Sequence, residues 1–246
     1  MRIHCSIFLF LLATDIDTLP AQTLRWRTLA NAPVRGTRHD DVFFTDQHIG
    51  WVVNGDGQIF KTTNGGATWQ MQFTAPVYLR SVGFVNSMRG WAGTLDSSSV
   101  LYQTTDGGTT WSLVQNIPEP RRGGICGISV VNSFVVYASG RYYGPARVIK
   151  TANRGLSWVS IDMNSYAGAL VDCYFFHPDS GFVVGSTNSN YNIGYPLILF
   201  TSDGGATWVE RYRGARSSEL CWKLFFPTRA MDMFPSNISA GVLPIT

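Results

Sequence analysis

The sequence predicts an all-β chain of repeated four-stranded antiparallel units, and three observations carry that prediction. The first is composition. Of 246 residues, 45% are apolar and 13% aromatic, ample for a core, while charged residues stop at 14%, against roughly 25% in an average soluble domain. The 25 glycines, spread among Thr, Ser and Asn, mark short strands and many turns. The second observation is a repeated turn. Four segments align: Lys61-Thr-Thr-Asn-Gly-Gly-Ala-Thr-Trp69, Gln103-Thr-Thr-Asp-Gly-Gly-Thr-Thr-Trp111, Lys150-Thr-Ala-Asn-Arg-Gly-Leu-Ser-Trp158 and Phe200-Thr-Ser-Asp-Gly-Gly-Ala-Thr-Trp208, with Trp-to-Trp spacings of 42, 47 and 50. The third is a weaker repeat upstream of each turn, an apolar run closed by a polar turn and then Gly before an aromatic. It reads Val42 to Gly50-Trp51, Val82 to Gly90-Trp91 and Cys173 to Gly181-Phe182, and in the third copy Ile128 to Tyr137 without the Gly. Each period then holds four short strands, A to D, which is the signature of a β-propeller blade.

In the second repeat the four strands fall near 79–86, 90–95, 99–105 and 109–114. The C–D turn has its own mechanism. Asn64, Asp106, Asn153 and Asp203 can bond backbone two residues on, and the following Gly supplies positive φ. Arg154 replaces the first Gly of the third copy, which predicts a looser turn there. Trp69, Trp111, Trp158 and Trp208 are expected to pack sideways between blades.

These residues resemble the Asp-box, or bacterial-neuraminidase repeat, Ser/Thr-x-Asp-x-Gly-x-Thr-Trp. The whole unit is most similar to the photosystem II assembly and stability factor type of propeller, over about residues 26–226. The resemblance implies a structural clip for Asn64, Trp69, Asp106, Trp111, Asn153, Trp158, Asp203 and Trp208. Asp-boxes occur in sialidases, plant-wall glycanases and non-enzymatic propellers alike, so it specifies fold and leaves chemistry open.

The ends of the chain read differently. Residues 1–22 read as a signal peptide, with a short basic start, an apolar stretch from Cys5 to Ala13 and a processing site near Leu19-Pro20-Ala21-Gln22. A buried N-terminal strand is the competing reading. Export predicts a secreted or periplasmic protein. Residues 23–230 hold the blades. Trp26 reads as the outer strand of a blade whose inner strands come from the C-terminus, and 220–226 as a fifth A strand. Residues 231–246 carry no repeat pattern. The codons for Met231-Asp-Met-Phe-Pro235, read two bases later, give Gly, Tyr or His, Val, then Ser or Pro, which suits a B strand. That end therefore reads as aberrant or truncated by a frame change near residue 230, the alternative being a divergent last blade. A seven-blade ring needs roughly 300 residues at this period, so four to five blades of a larger ring are expected, as an open arc.

A net charge of +3, with 19 Lys and Arg against 16 Asp and Glu, is too small and too scattered for a nucleic-acid binder. No apolar run reaches 18 residues, so no membrane span is expected. Cys126, Cys173 and Cys221 are too sparse for a disulfide framework, and no Cys or His spacing suits zinc. No metal or cofactor is expected.

Strand parity places A–B turns and C–D boxes on one face, and B–C loops and D–A connections on the other. The second, variable face gathers Arg35, Arg38, Arg80, Arg121, Arg122, Arg213 and Arg216, with Tyr142, Tyr143, Tyr191 and Tyr195 on its longer loops. Arginine round a channel mouth suits carboxylate, sulfate or an acidic protein segment, and tyrosines stack on sugars or anchor proteins. Some propellers of the assembly-factor type carry an arginine-rich patch, matched here in kind rather than position by position. The expected role is therefore an exported, non-catalytic binding or assembly module for a protein or extracellular glycan. The alternative is a sialidase-like or other glycosidase propeller. Its carboxyl pair would come from Asp40, Asp41, Asp56, Asp172 and Glu219, which read more simply as partners of Arg38 or Arg80. The Phe/Tyr-Arg-Ile-Pro signature of sialidases is absent.

Overall fold

The computed structural model of the chain describes residues 29–34, 36–118 and 124–226. They form four antiparallel four-stranded sheets, each in sequential order, which are the blades of a partial propeller. Blade one holds β1 (His39–Phe44), β2 (Gly50–Asn54), β3 (Gln58–Thr62) and β4 (Gln70–Thr74). Blade two holds β5 (Leu79–Phe84), β6 (Gly90–Thr94), β7 (Leu101–Thr104) and β8 (Ser112–Leu113). Blade three holds β9 (Gly127–Val130), β10 (Val136–Gly140), β11 (Arg147–Thr151) and β12 (Val159–Asp162). Blade four holds β13 (Ala169–Phe175), β14 (Gly181–Ser186), β15 (Pro196–Thr201) and β16 (Val209–Arg213). The signal segment, Trp26, the frame-change region, Arg35, Arg121 and Arg122 lie outside the described residues.

The core forms between blades. Trp51 of blade one stacks on Phe84 of blade two at 3.6 Å, and Tyr137 of blade three stacks on Phe175 of blade four at 3.5 Å. The box tryptophans meet these rings edge-on, Trp111 against Phe84 and Trp208 against Phe175. Trp111, Trp158 and Trp208 are buried, as the sequence predicts, while Trp69 is half-buried.

The box turn differs from its expected bonding. The Asp106 carboxylate accepts from the Thr110 amide and hydroxyl, four residues on, at 2.9 and 2.6 Å, and the Thr104 hydroxyl accepts the Gly108 amide. Two successive glycines at φ 74° and 92° wrap the chain further than a two-residue turn does, so the amide facing the carboxylate is the fourth. The third copy is not looser. Arg154 takes φ 65°, a strained conformation for a side-chain-bearing residue, yet Ser157 still donates to Asn153 at 2.9 Å and Gly155 to Thr151. The Arg154 guanidinium lies 4.1 Å above the Phe134 ring and its amide bonds the Phe134 carbonyl. Those contacts hold the left-handed residue in place.

The assignment of faces is as predicted. Boxes bond A–B turns, as in Gly107 to Met88 and Gly204 to Asp179, and D–A connections bond B–C loops, as in Leu95 to Tyr78 and Gly168 to Ser186. Residues 220–226 were expected as a fifth A strand. They join no ladder among the described residues, but they lie against blade four as β5 lies against blade one. Leu224 donates its amide to Asp172 at 2.9 Å, just as Val82 donates to Asp41 at 3.0 Å.

Two tests follow from the packing. Trp111→Ala should cost about 3–5 kcal/mol, the loss typical of a buried aromatic, measured by denaturant unfolding, with the fold of the remaining blades retained. Asp106 and Asp203 are held at about 2, chiefly by the hydroxyls and amides of Thr110 and Thr207. Their folded values lie below the unfolded value near 3.8, so the stabilisation is complete above about pH 4 and disappears as pH falls through about 2. Asp106→Asn should reduce the fall in melting temperature across that window, with Asp203 still titrating there.

Candidate functional site

The inner strands run from the variable face, and three of them carry a bulge at the same place. The register shifts between His39 and Asp41, between Leu79 and Ser81, and between Leu170 and Asp172. A bulge inserts a residue and re-aims its neighbours. Here it delivers Asp40, Arg80, Asp41 and Asp172 to the variable-face mouth of the ring.

Two networks result. In the first, the Asp40 side chain, 2% exposed, receives Arg38 Nε at 2.7 Å and the Tyr78 hydroxyl at 2.5 Å, with Arg80 at 3.7 Å. The Tyr78 phenol and the Asp40 carboxylate outweigh burial and hold Arg38 above its ordinary value. In the second, Lys223 Nζ lies 3.2 Å from Asp41 and 3.6 Å from Asp172, joining the last described segment to the first blade. Burial raises Asp172, with Lys223 and the Leu224 amide opposing it. Burial would lower Lys223, but Asp172 and Asp41 prevail and raise it. Gly127 makes room for this arrangement, since a Cβ there would stand 2.4 Å from Asp172 Oδ1.

The predicted arginines are therefore only partly brought together. Arg38 and Arg80 converge on Asp40. Arg213 and Arg216 stand apart at blade four, paired with Glu210 at 2.6 Å and Glu219 at 3.0 Å. Of the candidate acids, Asp40 pairs with Arg38 and Arg80 as read from sequence, while Asp41 and Asp172 pair with Lys223. The tyrosines also divide. Tyr142 stacks on Trp222 at 5.5 Å and meets Tyr143 at 4.7 Å. Tyr191 and Tyr195 sit exposed on the separate B–C loop of blade four. Sequence reasoning missed Lys223, Tyr78 and Trp222.

Residues 20–120 match the model of the family described as photosynthesis system II assembly factor YCF48. The chain is an Asp-box β-propeller similar to the photosystem II assembly factor type. YCF48 from Cyanidioschyzon merolae overlays with a TM-score of 0.54 at 17% identity, over 74% of this chain and 58% of that one. The GH74 enzyme of Niastella koreensis overlays with a TM-score of 0.55 at 20% identity, over 69% of this chain and 28% of that one. A structure of YCF48 bound to a D1 peptide gives 0.45 at 18% identity, over 73% and 83% of the two chains. These are likenesses of fold. No curated protein sequence matches the chain.

The remaining chemistry of this assembly-factor-like propeller is sparse. Among the described residues, no three or more His, Cys, Asp or Glu side chains gather as a metal site requires. No helix among them is long and apolar enough to cross a membrane. Cys126, Cys173 and Cys221 are free thiols, the first two buried. Burial pushes all three thiols up, which makes them poor nucleophiles.

The Lys223 bridge has a testable sign. Asp172 is raised in the folded state, so folding favours its protonated form and this group's contribution improves as pH falls toward 3.8. Lys223→Met removes the cation that opposes burial at Asp172, so keeping that carboxylate ionised in the folded state costs more. Because the Lys223 side chain is 57% exposed, the loss should be about 1 kcal/mol at pH 7 rather than the larger figure for a fully buried pair. It should shrink between pH 7 and pH 4. Urea midpoints at the two pH values measure it.

Proposed function

We propose that the protein is a non-catalytic binding module whose variable face holds an acidic segment of a protein partner. One observation carries this reading. At the mouth the carboxylates are underneath and two of the three cations are outside: the side chains of Asp40, Asp41 and Asp172 are 2%, 12% and 5% exposed, those of Arg38 and Lys223 61% and 57%, while Arg80 is buried with the acids at 11%. The buried acids fix the cations at defined positions and leave their outer donors available. Beside them the Tyr142–Trp222 stack supplies a rigid, half-exposed aromatic anchor, with Trp222 47% exposed. Cation and aromatic together are the composition of interaction hot spots.

The same geometry argues against the glycosidase reading. Both Asp41 oxygens are taken, one by the Val82 amide and the other by Lys223, and the Asp172 side chain, 5% exposed, accepts the Leu224 amide with Lys223 at 3.6 Å. A general acid and a nucleophile both need an oxygen free to face substrate. Export belongs to the proposal as well, supported by the basic start and apolar run of residues 1–22.

The test uses short peptides rich in Asp and Glu against the same peptides carrying Asn and Gln. The acidic set should bind and the amide set should not, and Trp222→Ala should weaken binding by about tenfold or more. Equal binding of both sets would sink the reading. Hydrolysis of aryl glycosides or xyloglucan, abolished by Asp41→Asn or Asp172→Asn, would replace it with the glycosidase.

A further inference from the structure

A cleft of about 560 Å³ opens on the variable face between blades three and four, and none of Arg38, Asp40, Asp41, Asp172 or Lys223 lines it. Its walls come from three loops: the β10–β11 loop with Tyr143, the β12–β13 connection with Asn164, Ser165 and Tyr166, and the β14–β15 loop with Ser189. Arg213 stands at the rim. The loops are joined backbone to backbone. Gly168 donates to Ser186, Leu170 to Arg141, and both Tyr166 and Ala167 to Met163. A Cβ on Gly144 would stand 2.6 Å from the Gly168 carbonyl, and one on Gly168 would stand 2.4 Å from Asn188 Cα. The floor is therefore preformed, with no side chain that must move aside.

The chemistry of the walls is distinctive. No carboxylate lines the cleft. The Arg213 charge is taken by Glu210 through three contacts of 2.6 to 3.2 Å. The hydroxyls of Tyr143, Ser165, Tyr166 and Ser189 have no partner among the described residues, and Asn164 uses only its amide nitrogen, on Asp162 at 2.6 Å. Tyr143 presents a ring 59% exposed, which the Arg141 guanidinium approaches to 5.6 Å and Tyr142 meets edge-on at 4.7 Å. The site thus offers several uncommitted hydroxyls, one amide oxygen and one aromatic face, without net charge. A cleft of this size takes a small ligand. Of the nearby cations, Arg213 is paired with Glu210, and Arg141 lies 5.6 Å over the Tyr143 ring rather than lining the cleft. A sugar ring has the matching surface: a face of C–H groups to lie on an aromatic, and a rim of hydroxyls that both donate and accept.

We propose that this cleft is a saccharide subsite, taking one or two neutral sugar units with Tyr143 as the stacking platform and Asn164, Ser165, Tyr166 and Ser189 holding the hydroxyls. This goes beyond the protein-partner reading, since Trp222, Arg38 and Lys223 do not line the cleft.

The experiment is titration calorimetry of the full chain with cellotetraose, xylotetraose and N-acetylchitotetraose, with an uncharged Gly/Ser peptide beside them. At least one oligosaccharide should bind, and the peptide should not. Tyr143→Ala should weaken that binding about tenfold, while Tyr143→Phe, which keeps the face, should stay within about threefold of the parent. Leu156→Ala, on the box face and 74% exposed, is the control and should change nothing. Melting curves confirm that the variants fold. Failure of all three saccharides to bind, binding that survives Tyr143→Ala, or preference for the peptide overturns the proposal.

Discussion

The interaction on which the rest of the structure depends is the ring that ends each inner strand. Phe84 lies over Gly90 of its own blade and stacks on Trp51 of the blade before. Phe175 lies over Gly181 and stacks on Tyr137. A Cβ at Gly90 or Gly181 would come within 2.4 Å of that ring, so the glycine is required by the stack rather than by backbone conformation. The Gly-aromatic pair is thus two halves of successive interfaces: the glycine receives its own blade's Phe, and the aromatic receives the next blade's.

Blade three shows the rule by breaking it on both sides at once. Register places Val136 where the other blades have Gly, and Val130 where they have Phe. The side chain gained on one strand is lost on the other, and volume is conserved across the pair. Trp91 of blade two then has no ring to stack on. It turns its edge partner into the box tryptophan instead, meeting Trp158 at 6.0 Å and 85°, and it closes against Gly155, whose Cβ would stand 2.8 Å from it. That contact explains why the second glycine of the box persists in the third copy while the first is replaced by Arg154.

Such linkages show what was legible in the sequence. The blades were, because a box and a Gly-aromatic pair recur at 42 to 50 residues and each has a local cause. The faces were, because antiparallel connectivity fixes them. The site was legible only in outline. Bulges leave no residue signature, so nothing in His39-Asp-Asp-Val42 announced that Asp40 and Asp41 serve different networks. Lys223 meets Asp41 across 182 residues, a separation at which no spacing rule operates. Arg213 and Arg216 were grouped with the mouth because they fall on a D–A connection, whereas the structure pairs them locally with Glu210 and Glu219.

The inner strands also show how the fold separates rigidity from recognition. On the box face each turn is closed by its own hydroxyls and its Asp or Asn side chain, and box carbonyls accept from neighbouring blades, as Gly107 does from Lys61 and Gly204 from Tyr137. On the variable face the D–A connections have different lengths, and their polar groups are divided. Some are consumed between blades, as Asp41 and Asp172 are by the amides of Val82 and Leu224. Others stay exposed, as the Arg38 and Lys223 side chains and the Tyr143, Tyr191 and Tyr195 rings do. A carboxylate that fastens one blade to the next also fixes the lysine above it. The charge pattern presented to a partner is therefore set by the same bonds that hold the blades in register, and a change at Asp41 or Asp172 acts on stability and on the surface together.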